Sequence, residues 1–183
     1  MDYFKKIFKE SIVIVLISSI IGLFSGTILS SSEEILYSFP IILLLLPALN
    51  SLIGDIATVL VSRLTTHLFI GSISPKIEKS NRLIEDFYGL LLTLCISIFS
   101  LLGIGYLFAY FTNVQIVNPT LIITILILTM IILFLFLFVF LFISSIYLFN
   151  KGKDPNNFLI PIITSLADFL SPTLIILFII LFT

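Results

Sequence analysis

Charge is what this 183-residue chain has least of. Only 10% of its residues are Asp, Glu, Lys or Arg, and the formal net charge is −1. With no basic surplus, it has no electrostatic footprint for nucleic acid. Its one cysteine, Cys95, excludes an internal disulfide and a multi-cysteine metal site. Its one histidine, His67, reads as a polar anchor near a membrane interface, without a ligand role. Tryptophan is absent, and six tyrosines are too few to define an aromatic belt. There is no His/Asp/Glu cluster at a membrane surface, no nucleophile–base pair and no phosphate-cradling loop. An enzyme is therefore not expected.

What the chain has in excess is apolar residues: 60% are hydrophobic, with a mean hydropathy of +1.30. Soluble domains are nearer half apolar and a quarter charged. The composition is that of a multi-pass integral membrane protein of the cell membrane. Five runs can each cross ~30 Å of hydrocarbon as a helix at 1.5 Å per residue. They are 11–30, 36–61 with a helical continuation toward 70, 88–111, 120–149 and 157–182. None shows the alternation of a barrel strand, so the expected class is all-α. The first run is too long for a signal peptide and lacks a small-residue cleavage site, so it reads as a retained span. The whole chain, 1–183, reads as one transmembrane transport domain without a cytoplasmic regulatory domain.

The basic residues are segregated. Lys5, Lys6 and Lys9 precede the first span; Arg63, Lys76, Lys79 and Arg82 lie between the second and third; Lys151 and Lys153 lie between the fourth and fifth. The other connections, 31–35 and 112–119, have none, and the first of them carries Glu33 and Glu34. The positive-inside rule then places the N-terminus in the cytoplasm and the C-terminus outside. Such a strong bias argues against dual topology, so a homodimer should be parallel. Span four, nearly all Ile, Leu and Phe, reads as lipid-facing. Span one presents Ser18, Gly22, Ser25 and Gly26 as a small-residue packing face. Gly89, Thr93, Ser97 and Ser100 form a similar stripe on span three.

Two membrane-embedded acids break the pattern. In span two, Asp55 follows Gly54 and shares a helical face with Ser51, Thr58, Ser62 and Thr65. Asn50 stands just before them, and Pro47 frees a carbonyl one turn back. In span five, Asp168 lies on a face with Pro161, Thr164, Ser171 and Pro172. A charge near the bilayer centre costs ~3 kcal/mol on insertion scales and marks function by default. Counted along the hydropathy-defined spans, Asp55 falls ~8 Å past the midpoint and Asp168 near it. Carboxylates with hydroxyls and carbonyls are hard oxygen ligands, suited to Mg²⁺, Mn²⁺ or Ca²⁺. Asp168 and Asp55 are thus candidate metal ligands, with Gly54, Asn50, Thr58, Thr164 and Ser171 as candidate pore-lining or backbone ligands. Arg63 reads as a snorkelling anchor or partner of a nearby acid, Glu85 and Asp86 as a solvated helix start or as acids serving the inner mouth, and Asp154 with Pro155 as the cap of span five.

Pro47-Ala48-Leu49, Gly54-Asp55 and Ser62-Arg63-Leu64 in span two, followed by D-P-x-N-x3-P-x2-T-x3-D from Asp154 to Asp168, resemble the transmembrane domain of the MgtE magnesium transporter family and its eukaryotic solute-carrier relatives. The resemblance implies a divalent-cation channel or transporter with Mg²⁺ favoured. It makes Asp168 the central pore ligand, and it implies a pore formed by two five-helix units, here a parallel homodimer. The family pattern has Asn where this chain has Asp55, and a more Gly-containing run after Asp168. Bacterial members carry cytoplasmic Mg²⁺-sensing domains, a role expected here to be absent or supplied by a separate regulator chain. Two other readings use the same residues: a proton- or sodium-coupled secondary carrier, and a non-transporting membrane subunit.

Overall fold

The computed structural model describes residues 2–183, and the regular structure of the described residues is entirely helical. Its order is α1 (Asp2–Ser31), α2 (Glu33–Tyr37), α3 (Pro40–Ile70), α4 (Asn81–Phe111), α5 (Pro119–Asn150) and α6 (Pro155–Phe182). All but α2 are long and apolar enough to cross a membrane, α1 through its Ser11–Ser31 portion.

Local chemistry sets the helix ends. Pro40, Pro119 and Pro155 open α3, α5 and α6 in the first turn, where a missing N–H costs nothing. Ser80 caps α4 by accepting from Leu83 N. Asp154 accepts from Asn156 N at 3.0 Å, as the Asp-Pro dipeptide predicts. Gly71 closes α3 at φ 79°, a left-handed conformation that glycine adopts without the penalty of a Cβ.

The α3 helix is the hub, packing against α4, α5 and α6. On the other side of α6 lies α1, packed along it. The polar side chains of α1 explain that pairing. Ser18 Oγ donates to Pro161 O at 3.0 Å and Ser25 Oγ to Asp168 O at 2.5 Å. The two bonds share one sequence offset, so α1 and α6 run parallel and in step. At the end holding Arg63, Lys76, Lys79, Arg82, Lys151 and Lys153, here the basic end, Asn150 Nδ2 donates to Pro75 O at 3.0 Å. Phe69 and Phe149 meet edge to face there, tying α3 to α5.

Span four departs from its expected place. The α5 helix is half-buried against α3 and α6, with Phe134, Leu137 and Leu141 in the core. Lipid tails are as apolar as Leu, so hydropathy does not distinguish a lipid-facing helix from a packed one. The most exposed span is instead α1. Span two differs at its start, where its first residues form the separate α2; α3 then runs unbroken past Pro47 to Ile70, the helical continuation expected from the sequence.

Candidate cation site

The longer α3 moves Asp55 to the middle of its helix, and Asp168 stands at the middle of α6. The two acids therefore meet at closer depth than the hydropathy limits predict. Both line one open groove of about 470 Å³, together with Asn50, Ser51, Gly54 and Thr164. Leu29 of α1, with Leu46 and Pro47 of α3, closes it toward the acidic α2 end.

Each wall has a local cause. Residues 47, 50, 51, 54 and 55 fall on one side of α3, where spacings of three and four residues stack. Gly54 is buried, and a Cβ built on it meets nothing within 4 Å. Its hydrogen therefore leaves groove space that a larger side chain would fill. On α6, Thr164 and Asp168 are one turn apart and both exposed. The Asn50 side chain is set against the Asp168 carboxylate, and its Oδ1 is buried without a partner. The groove thus offers two carboxylates and hydroxyls, with an amide oxygen buried beside them, an oxygen set of the kind a hard divalent cation takes. Among the described residues no three His, Cys, Asp or Glu side chains gather.

Two of the candidate residues lie elsewhere. Thr58 borders a neighbouring groove of about 420 Å³ with Ser62, Arg63, Thr66 and His67, nearer the basic end. Ser171 is buried, and its hydroxyl donates to Ala167 O at 2.6 Å within its own helix. On the far side of Asp55, a smaller groove holds Thr93 and Ser97 of α4. The stripe on span three thus faces the same acid. Thr65 points inward and is buried, while Thr66 takes the groove position.

A second charged cluster gives Arg63 the acid partner that was one of its two readings, and departs from the reading of Asp86 as solvated. Asp86 is buried at 2% exposure rather than solvated at a helix start. Its Oδ1 accepts from Arg63 Nε at 2.5 Å, and His67 Nε2 lies 3.2 Å from Oδ2. His67 is therefore more than an interfacial anchor. The sequence did hold a signal. Arg63 and His67 are one turn apart, and Asp86 lies about as far beyond the α3–α4 loop as Arg63 lies before it.

A family model described as divalent cation transporter, MgtE, matches residues 46–180. The chain belongs to the MgtE family. Comparison with curated proteins and with solved structures finds no match. The matched residues begin at Leu46 and include α3 through α6 almost entire, and so both groove-lining acids. An MgtE-type chain with five apolar helices is a multi-pass membrane protein of a transporter family.

Proposed function

We propose that this MgtE-family chain conducts Mg²⁺ across the cell membrane through a pore between two parallel copies, with Asp168 as central ligand and Asp55 as a second carboxylate. The observation that carries the reading is the single groove into which Asp55, Asp168, Asn50, Gly54 and Thr164 converge at mid-helix. Hydrated Mg²⁺ sheds water reluctantly and is held through one or two carboxylates with waters retained. A wide groove with two acids and neutral oxygens suits that chemistry better than a closed cage.

The groove also supports the dimer. Asp55, Ser51, Thr164 and Asp168 are exposed on the surface of one chain. Two carboxylates facing hydrocarbon at mid-membrane would each cost ~3 kcal/mol. A second copy facing the first encloses both grooves around a wet axis and doubles the carboxylates on it. The basic end, with all the loop lysines and arginines, is then cytoplasmic, which places the N-terminus inside and the C-terminus outside. The chain from end to end acts as one transport unit of the pair.

Rescue of a magnesium-auxotrophic strain tests the assignment. The native chain restores growth at low Mg²⁺, and Asp168→Ala, expressed at an equal level in the membrane, does not. Full rescue by Asp168→Ala would overturn the proposed ligand.

A further inference from the structure

The polar face of α3 does not stop at Asp55. It continues one turn at a time through Thr58, Ser62 and Thr66 toward the basic end, along the groove that Arg63 and His67 share. If Asp55 and Asp168 hold a cation, this face is its way to the basic end. Arg63 stands on that way with its side chain 53% exposed, about 12 Å along the helix from Asp55. A free guanidinium there would repel each divalent ion that passed.

The structure does not leave it free. Arg63 Nε donates to Asp86 Oδ1 at 2.5 Å. Asp86 comes from α4, across the helix–helix seam, and is buried. His67 Nε2 approaches its other oxygen at 3.2 Å, and His67 Nδ1 lies 2.9 Å from Ser72 Oγ in the following loop. The neighbouring acid, Glu85, is exposed and engaged with Arg82 at 2.9 Å, so it does not substitute. One buried carboxylate thus turns the Arg63 head toward α4 and cancels its charge. Burying an acid is costly unless it is paired, and a mere snorkelling anchor for Arg63 would not need one.

We propose that Asp86 is a positioning residue of the conduction path: it neutralises Arg63 and draws its guanidinium toward α4, leaving the Thr58–Ser62–Thr66 face passable to a divalent cation. His67, 2.9 Å from Ser72, stands beside the other Asp86 oxygen. The inference rests on the reading of the Asp55–Asp168 groove as the cation site.

The test is Mg²⁺ flux into liposomes holding the purified full chain and a fluorescent Mg²⁺ indicator. Asp86→Asn exposes the Arg63 charge and lowers flux roughly tenfold, as expected for a unit charge beside the path at intermediate dielectric. Asp86→Glu keeps most of the flux. The double variant Arg63→Gln/Asp86→Asn removes both charges and recovers at least half of the native rate. Because breaking a buried pair also destabilises, Tm in detergent is measured beside flux. Loss of flux in Asp86→Asn without a matching fall in Tm is what a purely structural role for Asp86 does not predict. Should Asp86→Asn not fold, Arg63→Gln alone decides, because a tenfold loss on removing that charge overturns the proposal. Native flux from Asp86→Asn, or a double variant no better than the single, overturns it as well. Asp168→Ala is run beside them. If it is silent while the Asp86 series behaves as native, only this inference fails. If Asp168→Ala conducts normally, the cation-site reading beneath it fails.

Discussion

The Ser25 hydroxyl donates to the backbone oxygen of Asp168 at 2.5 Å, and Pro172 is the reason that oxygen is available. In an uninterrupted helix the N–H of residue 172 would bond the carbonyl of residue 168. Proline has no N–H to give. The α1 helix supplies the missing donor, so the residue proposed as central ligand is fixed through its backbone by a neighbouring span. Its carboxylate is left to face the groove.

This arrangement predicts an interaction between positions 25 and 172. Ser25→Ala leaves the Asp168 carbonyl unsatisfied and costs about 1–2 kcal/mol, seen as a lower Tm in detergent together with reduced Mg²⁺ uptake. In Ser25→Ala/Pro172→Ala the restored N–H bonds that carbonyl, and the loss of stability from Ser25→Ala shrinks. Equal losses from Ser25→Ala with Pro172 present and with it already replaced would show that the hydroxyl acts by packing alone.

The two acids should respond unequally. Asn50 is set against Asp168, so the Asp168 carboxylate has an amide beside it. Asp55→Asn keeps an oxygen at that place but removes a charge. Transport persists with the half-saturating Mg²⁺ concentration raised several-fold. Asp168→Asn abolishes uptake. Titrating uptake against external Mg²⁺ in the two variants checks the ranking, and equal effects would mean that the acids act as one undivided site.

Two glycines make opposite predictions. A Cβ on Gly105 collides with the Leu45 side chain, whereas one on Gly54 meets open space. Gly105→Ala therefore separates α4 from α3 and costs about 1–3 kcal/mol by overpacking, measured as a fall in Tm. Gly54→Ala is tolerated, and Gly54→Leu, which fills the groove beside Asp55, blocks uptake while Tm stays within a few degrees of native. A large loss of stability from Gly54→Leu would mean that the groove is closed in the folded protein.

The spans were legible because the bilayer demands length and apolarity, and both are countable along a chain. The Asp154 cap was legible for the same local reason, and the two acids stood out because a charge in an apolar helix is costly. Relations between helices were not legible. Nothing in the composition of α5 separates its buried half from its lipid half. The depth of Asp55 was displaced because hydropathy falls at Ser62 and Arg63, although the helix continues to Ile70. That continuation is supported by Asp86, which pairs with Arg63 from another helix and offsets its charge beside the groove. A linear reading of residues 81–87 sees a helix start there and misses the partner across the turn.

The proposed dimer can be tested at the rim of the groove. Ser51 is exposed beside Asp55, and Val139 is exposed on α5. If two copies face each other across their grooves, Ser51 approaches its counterpart, whereas Val139 faces lipid. The native Cys95 is exposed on α4 and must first be replaced. In a Cys95→Ser background, Ser51→Cys should cross-link in membranes under mild oxidation, giving a band at twice the chain mass, and Val139→Cys should not. A disulfide needs Cα atoms within about 7 Å, so a bifunctional thiol reagent of known span covers the case of a wider wet axis. Cross-linking at Val139 but not at Ser51 would place the contact on α5. The two carboxylates of each groove would then face lipid, and the energetic argument for a pore between the copies would fail with them.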